Sequence, residues 1–113
     1  MAVFSLGGVY LKNSLSIDGT DLIVHMPEEV DHLSSADLRI AADLILENYN
    51  IHRIIFDFSN TLFMDSSGIG MIMGRYRNII RKGGEILAIH TNHRIEKILY
   101  LSGIYKLIPI VKE

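Results

Sequence analysis

The chain contains no cysteine. That absence excludes a disulfide framework, a thiolate-held zinc or iron–sulfur site and a thiol nucleophile, and it fits a reducing compartment. An excess of one charge is missing too: 11 Lys and Arg stand against 13 Asp and Glu, for a formal net charge of −2. No strong field therefore exists to draw nucleic acid or an anionic membrane. No stretch approaches the ~20 apolar residues of a membrane span. Residues 1–10 lack the basic segment and long apolar run of a secretory signal, so the expected location is the cytoplasm. Linkers, low-complexity tracts and internal repeats are absent. With 113 residues and 49% hydrophobic content, the chain is expected to fold as one domain over 1–113. Also missing are a P-loop, a dinucleotide-binding glycine fingerprint and a nucleophile elbow. Gly68, Gly70 and Gly74 have the wrong spacing for a phosphate loop and lie inside a helical pattern.

What is present alternates between strands and helices. Residues 3–17 mix apolar and polar positions loosely and predict one or two strands. Asp18-Gly19-Thr20-Asp21 predicts a turn, because Asp-Gly supplies a positive-φ position cheaply. Residues 22–26 return from it as a strand, completing an antiparallel hairpin. Leu38, Ala41, Ala42, Ile45 and Tyr49 recur at helical spacing and predict a helix over 35–49. Ser34 or Ser35 is its expected cap, with Asp37 in the first turn and Asn50 at the end. The apolar run Ile54, Ile55, Phe56, Phe58 predicts a buried central strand over 53–59. A loop over 60–65 should follow. Ser66 or Ser67 should then cap a helix running to about Lys82, with Ile69, Ile72, Met73, Tyr76, Ile79 and Ile80 as its apolar stripe and Gly83-Gly84 as its stop. Residues 85–90 predict another strand. A short helix capped by Thr91 or Asn92 carries Ile95, Ile98, Leu99 and Leu101 and ends at Gly103. Residues 107–111 predict a last extended segment. Such alternation implies right-handed crossovers and a mainly parallel sheet, made mixed by the first hairpin.

Few residues suggest chemistry. Among the histidines at 25, 32, 52, 90 and 93, only His90 and His93 are close, and a strand-to-helix turn separates them. No metal or other cofactor is expected, and no enzyme activity. Asp57 and Asp65 flank the loop after the central strand, but polar loop ends are the simpler reading than an acid/base pair. The segment Phe63-Met64-Asp65-Ser66-Ser67-Gly68-Ile69-Gly70 stands out, at the carboxyl end of a buried strand where α/β folds bind ligands and partners. Two adjacent serines exceed what one cap requires, though capping alone would account for either.

That segment, with Gly74-Arg75-Tyr76 after it, resembles the signature of the anti-sigma-factor antagonists of the STAS domain family, a family shared with sulfate transporters. The likeness is to the sporulation type of endospore-forming bacteria, which implies a role in sporulation or a stress response. It extends through Gly83-Gly84 to Leu101-Ser102-Gly103-Ile104, and upstream Glu29-Val30-Asp31-His32 resembles the family's Glu-Leu-Asp-His stretch. The resemblance implies an α/β fold, a mixed sheet with helices packed mainly on one face. It implies that Ser66 is the phosphoacceptor and that Asp31 lies in the partner interface. The implied partner is an anti-sigma factor that is also a serine kinase carrying ATP. The unphosphorylated protein would bind it and release a sigma factor, phosphorylation would switch the antagonist off, and a PP2C-type phosphatase would restore it. Two features depart from the family pattern: the N-terminal part, with Gly7-Gly8 and a longer first hairpin, and the chain end at Glu113, where a C-terminal helix is expected to be shortened or absent.

Local chemistry is compatible with this. Phosphate at a helix start meets free N–H groups and the helix dipole, so the fold should tolerate it. Its effect would then be felt at an interface, beside Asp31 and Asp65. Gly70 and Gly74, four apart, share one side of their helix. Glycine there costs roughly 1 kcal/mol relative to alanine, which suggests close approach, with a partner favoured over internal packing. Met71 would add an adaptable apolar contact if exposed. The expected partner surface is thus Asp31, Asp65, Ser66, Ser67, Gly70, Met71 and Gly74. Arg75, Arg77, Arg81 and Lys82 are read as a solvated face. Competing readings are a STAS module of a stressosome, a lipid-transport subunit or a transporter tail, and a small-molecule-binding protein or enzyme using residues 65–67.

Overall fold

The computed structural model describes residues 14–112 in full and the backbones of two strands before them, β1 (Phe4–Leu6) and β2 (Val9–Leu11), which pair antiparallel. Gly7-Gly8 lies outside the described residues. β3 (Leu15–Asp18) and β4 (Asp21–His25) form the expected hairpin, closed by Asp18 opposite Asp21 with Gly19 at φ 61°. The chain then passes through β5 (Glu29–Val30), α1 (His32–Asn48), β6 (Arg53–Asp57), β7 (Phe63–Met64), α2 (Ser66–Arg81), β8 (Glu85–Ile89), α3 (His93–Leu101), a 3-10 turn (Ile104–Lys106) and β9 (Ile110–Val111). The described main sheet has the order β3-β4-β6-β8-β9; β4, β6, β8 and β9 run parallel and β3 antiparallel.

Alternation along the strands decides which face is covered. Leu22, Val24, Ile54, Phe56, Ile86 and Ala88 are buried beneath the helices, whereas their neighbours Ile23, Ile55 and Leu87 on the opposite face are only partly covered. The helices therefore pack on one face. From α1 come Leu38, Ala41, Ala42, Ile45 and Leu46, and from α2 Met71, Ile72 and Ile79. Burying each large aliphatic or aromatic side chain contributes about 1.5–3 kcal/mol. Ile72 is fully enclosed, and Ile69, Met73 and Tyr76 pack against the same core from its margin.

Several expectations need correction. Tyr49 follows α1 rather than lying in it, and Ile80 and Leu101 point outward. The segment over 60–65 is not all loop: Phe63–Met64 pairs in parallel with Glu29–Val30. Neither Ser34 nor Ser35 caps α1; Asp31 does. Neither Ser66 nor Ser67 caps α2; Asp65 does, and both serines lie in its first turn. Serine and aspartate are both good caps, so the sequence pattern could not separate them. Arg75 is not solvated. It is 7% exposed, with Nε 3.0 Å from Asp43 Oδ1 on α1, and burial pushes its pKa down more strongly than Asp43 pulls it up.

Candidate functional site

The site begins with the β5–β7 pair. Glu29 and Val30 lie in register with Phe63 and Met64, and the next residues, Asp31 and Asp65, start α1 and α2. The Asp65 N–H donates to the Val30 carbonyl at 3.0 Å, locking the two helix starts together. Parallel crossovers thus place two positive helix ends side by side. The loop ahead of β7 is held from outside the site. The Thr61 hydroxyl donates to the Met26 carbonyl at 3.3 Å, and Asn92 Nδ2, at the start of α3, donates to the Thr61 carbonyl at 2.8 Å. Sequence reading missed Thr61 and Asn92 as supports, because their partners are distant in the chain.

At α1, Asp31 Oδ1 accepts from the Ser34 N–H at 3.0 Å, and the Asp31 N–H donates to Ser34 Oγ at 3.0 Å. The first of these bonds does most to hold the Asp31 carboxyl below its ordinary 3.8. Asp31 is consequently a capping residue as well as a surface carboxylate. At α2, Asp65 Oδ1 accepts from the Ser67 N–H at 2.8 Å, and the Gly68 N–H donates to the Asp65 carbonyl at 3.1 Å. The Ser66 side chain is exposed, and its hydroxyl makes no hydrogen bond among the described residues.

Three glycines follow, with different reasons for being glycine. A Cβ on Gly68 would lie 2.5 Å from Met64 Cγ and 2.8 Å from Val30 Cγ1, so α2 can sit against β5 and β7 only with glycine there. A Cβ on Gly70 or Gly74 would meet nothing within 4 Å. Those two are not required by packing inside the molecule. Side chains on a helix lean towards its N-terminus, so any side chain at 70 would lie over the turn that presents Ser66. Met71, expected as an outward contact, is instead 4% exposed; it is one position off the bare side and turns towards the core. The structure thus gathers Asp31, Asp65, Ser66, Ser67 and Gly70 at one end, with Gly74 one turn further along α2 and Met71 beneath.

A second polar group lies at the carboxyl ends of β4, β6 and β8. Asp57 Oδ1 is 2.9 Å from His90 Nδ1 and accepts from the Ser59 N–H at 3.0 Å, while Asp57 Oδ2 is 3.5 Å from His25 Nδ1. Burial raises the Asp57 pKa, but the bonds from His90 and Ser59 outweigh it and leave the carboxyl below its ordinary value. Asp57 and Asp65 are engaged by different groups. Among the described residues, no cluster of three metal-ligating side chains occurs, and no helix is long and apolar enough to cross a membrane.

A mixed sheet covered on one face, with a serine pair at the start of its second crossover helix, defines a class. Residues 13–113 match the STAS domain model, and the chain belongs to the STAS domain family. It is 38% identical over 89 residues to an anti-sigma F factor antagonist of Paenibacillus polymyxa, covering 79% of this chain and 76% of that one. Its fold is similar to that of the anti-sigma factor antagonist SpoIIAA in its unphosphorylated form, with a TM-score of 0.78 at 23% identity over 88% of this chain and 87% of that one. SpoIIAA of Bacillus in the phosphorylated form gives a TM-score of 0.71 at 23% identity, over 88% and 90% of the two chains. These two structures support the fold.

Proposed function

We propose that this protein is an anti-sigma factor antagonist, a cytoplasmic binding module switched at Ser66 and not an enzyme. In its unphosphorylated form it binds an anti-sigma factor that is also a serine kinase, and so releases a sigma factor. The kinase moves the γ-phosphoryl group of its ATP to Ser66 Oγ. The new O–P bond replaces the O–H bond, ADP departs, and the hydroxyl proton goes to a base on the kinase. A PP2C-type phosphatase hydrolyses the ester and restores the antagonist.

One observation carries this reading: Ser66 is an exposed hydroxyl without an internal hydrogen bond, at the start of a helix packed on the core. The fold makes no use of it. Gly70 and Gly74 leave the adjoining side of α2 bare, which suits close approach by a partner. Asp31, Asp65 and Ser67 form the rim of that surface. The largely buried Met71 supports it from below. Phosphate adds about −1.5 to −2 charge beside Asp31 and Asp65, and desolvating that charge against a partner costs affinity.

The test pairs calorimetry with mass spectrometry. Ser66→Ala should bind the kinase like wild type and take no phosphate. Ser66→Asp should bind at least ten-fold more weakly, about 1.4 kcal/mol, with its fold intact. Phosphate on Ser67, or tight binding by Ser66→Asp, would return Ser66 to an ordinary first-turn residue.

A further inference from the structure

An open groove of about 290 Å³ runs between the first halves of α1 and α2. His32, Ser35 and Arg39 line it from α1, and Ser67, Gly70 and Met71 from α2. Ser66 does not itself line the groove, but Gly70, which does, lies one turn from it on the same side of α2. Its chemistry is that of an anion site. Arg39 is exposed and makes no ion pair among the described residues. Ser35 is 4% exposed, and its hydroxyl has no hydrogen-bond partner, a costly state for a buried polar atom. Apart from the capping carboxylates themselves, the first turn of neither helix carries an acidic residue.

The start of α2 cannot serve a phosphate on Ser66 alone. Asp65 already takes the Ser67 N–H with its carboxylate and the Gly68 N–H with its carbonyl. A dianion on Ser66 is therefore repelled by Asp65 and Asp31 on the cap side. The groove side offers a guanidinium, the edge of His32 and an unused hydroxyl, and Gly70 leaves the way open.

We propose that the groove is the intramolecular seat of the phosphorylated Ser66 side chain, with Arg39 as its principal ligand and Ser35 and Ser67 as hydroxyl donors. This rests on the reading of Ser66 as phosphoacceptor and adds a mechanism to it. The modified side chain fills the bare track at Gly70, so the switch acts by occupying the docking surface as well as by charge.

The experiment uses full-length protein with phosphoserine installed at position 66 during translation. Failure of the kinase reading then leaves the test intact. The probe is the second ionisation of the phosphate, followed by ³¹P NMR as pH is varied. In Arg39→Gln this pKa should rise by about half a unit or more relative to wild type, since a neighbouring cation favours the dianion. Arg39→Lys should show a smaller rise. Arg77→Gln removes an equal charge from an exposed position on α2 outside the groove and should shift the value by less than about 0.2. Because Arg39 is exposed, amide spectra of its variants should show an unchanged fold. If Arg39→Gln and Arg77→Gln titrate alike, Arg39 does not hold the phosphate and the proposal is wrong.

Discussion

Two helices start side by side in this molecule, and they start differently. At α1 the capping bonds are reciprocal: Asp31 and Ser34 each satisfy the other's backbone N–H. At α2 the equivalent of Ser34, the third residue of the helix, is Gly68, which has no side chain to return the bond. The Asp65 N–H goes to Val30 instead. One start uses its serine for structure. The other is secured by its neighbour strand and leaves Ser66 unused. Ser66, at the position that His32 holds in α1, takes part in neither capping arrangement.

Making α2 resemble α1 should have the largest effect. Gly68→Ser would supply the missing partner for Asp65, but its Cβ would collide with Met64 and Val30. A loss of about 1–3 kcal/mol is expected from overpacking, measured by urea denaturation. A neutral or stabilising outcome would show that β5 and β7 can move apart and that the close approach is not what fixes the helix start.

Removing the caps comes next. Asp65→Ala should cost about 1 kcal/mol and Ser34→Ala slightly less. Equal stability of Asp65→Ala and wild type would mean that Val30 alone secures α2. Acid should weaken the start of α1. Asp31 has a folded pKa below its ordinary 3.8, so its stabilising contribution is complete above that value and lost as pH falls through the lower folded one. Asp31→Asn should flatten that part of the acid limb of the stability curve. A curve unchanged in shape would assign the acid sensitivity elsewhere, with Asp57 next in line because its pKa is also lowered. Ser66→Ala should have the smallest effect, below about 0.5 kcal/mol. A loss near that of Ser34→Ala would end the contrast between the two helices.

Much of this was legible in the sequence, for local reasons. The apolar run Ile54 to Phe58 marked the central strand, and Asp18-Gly19 marked the hairpin turn. The spacing of Ile69, Ile72, Met73 and Tyr76 marked α2 as a helix packed on the sheet, but of the four only Ile72 is buried; the buried side is Gly68, Met71, Ile72, Arg75 and Ile79. The Asp-Ser-Ser-Gly segment drew attention to the helix start. What stayed hidden depends on residues distant in the chain. Two-residue strands such as β5 and β7 have no periodicity to detect. Arg75 reads as a surface residue until α1 brings Asp43 against it. Gly68 cannot be told from Gly70 by composition, yet one fills a contact and the other leaves a space. Met71 belongs with the core only once the rotation of α2 against α1 is fixed.

The pairing of β5 with β7 has a consequence for when the site exists. Its two strands come from opposite ends of a helical crossover, so their ladder joins segments that are distant in the chain. Contacts between distant segments form late and slowly compared with local ones. In a nascent or partly folded chain Ser66 is simply a serine in a flexible stretch, with no helix start, no bare track beside it and no Asp31 nearby. A partner of the kind proposed would find this surface only on the folded chain.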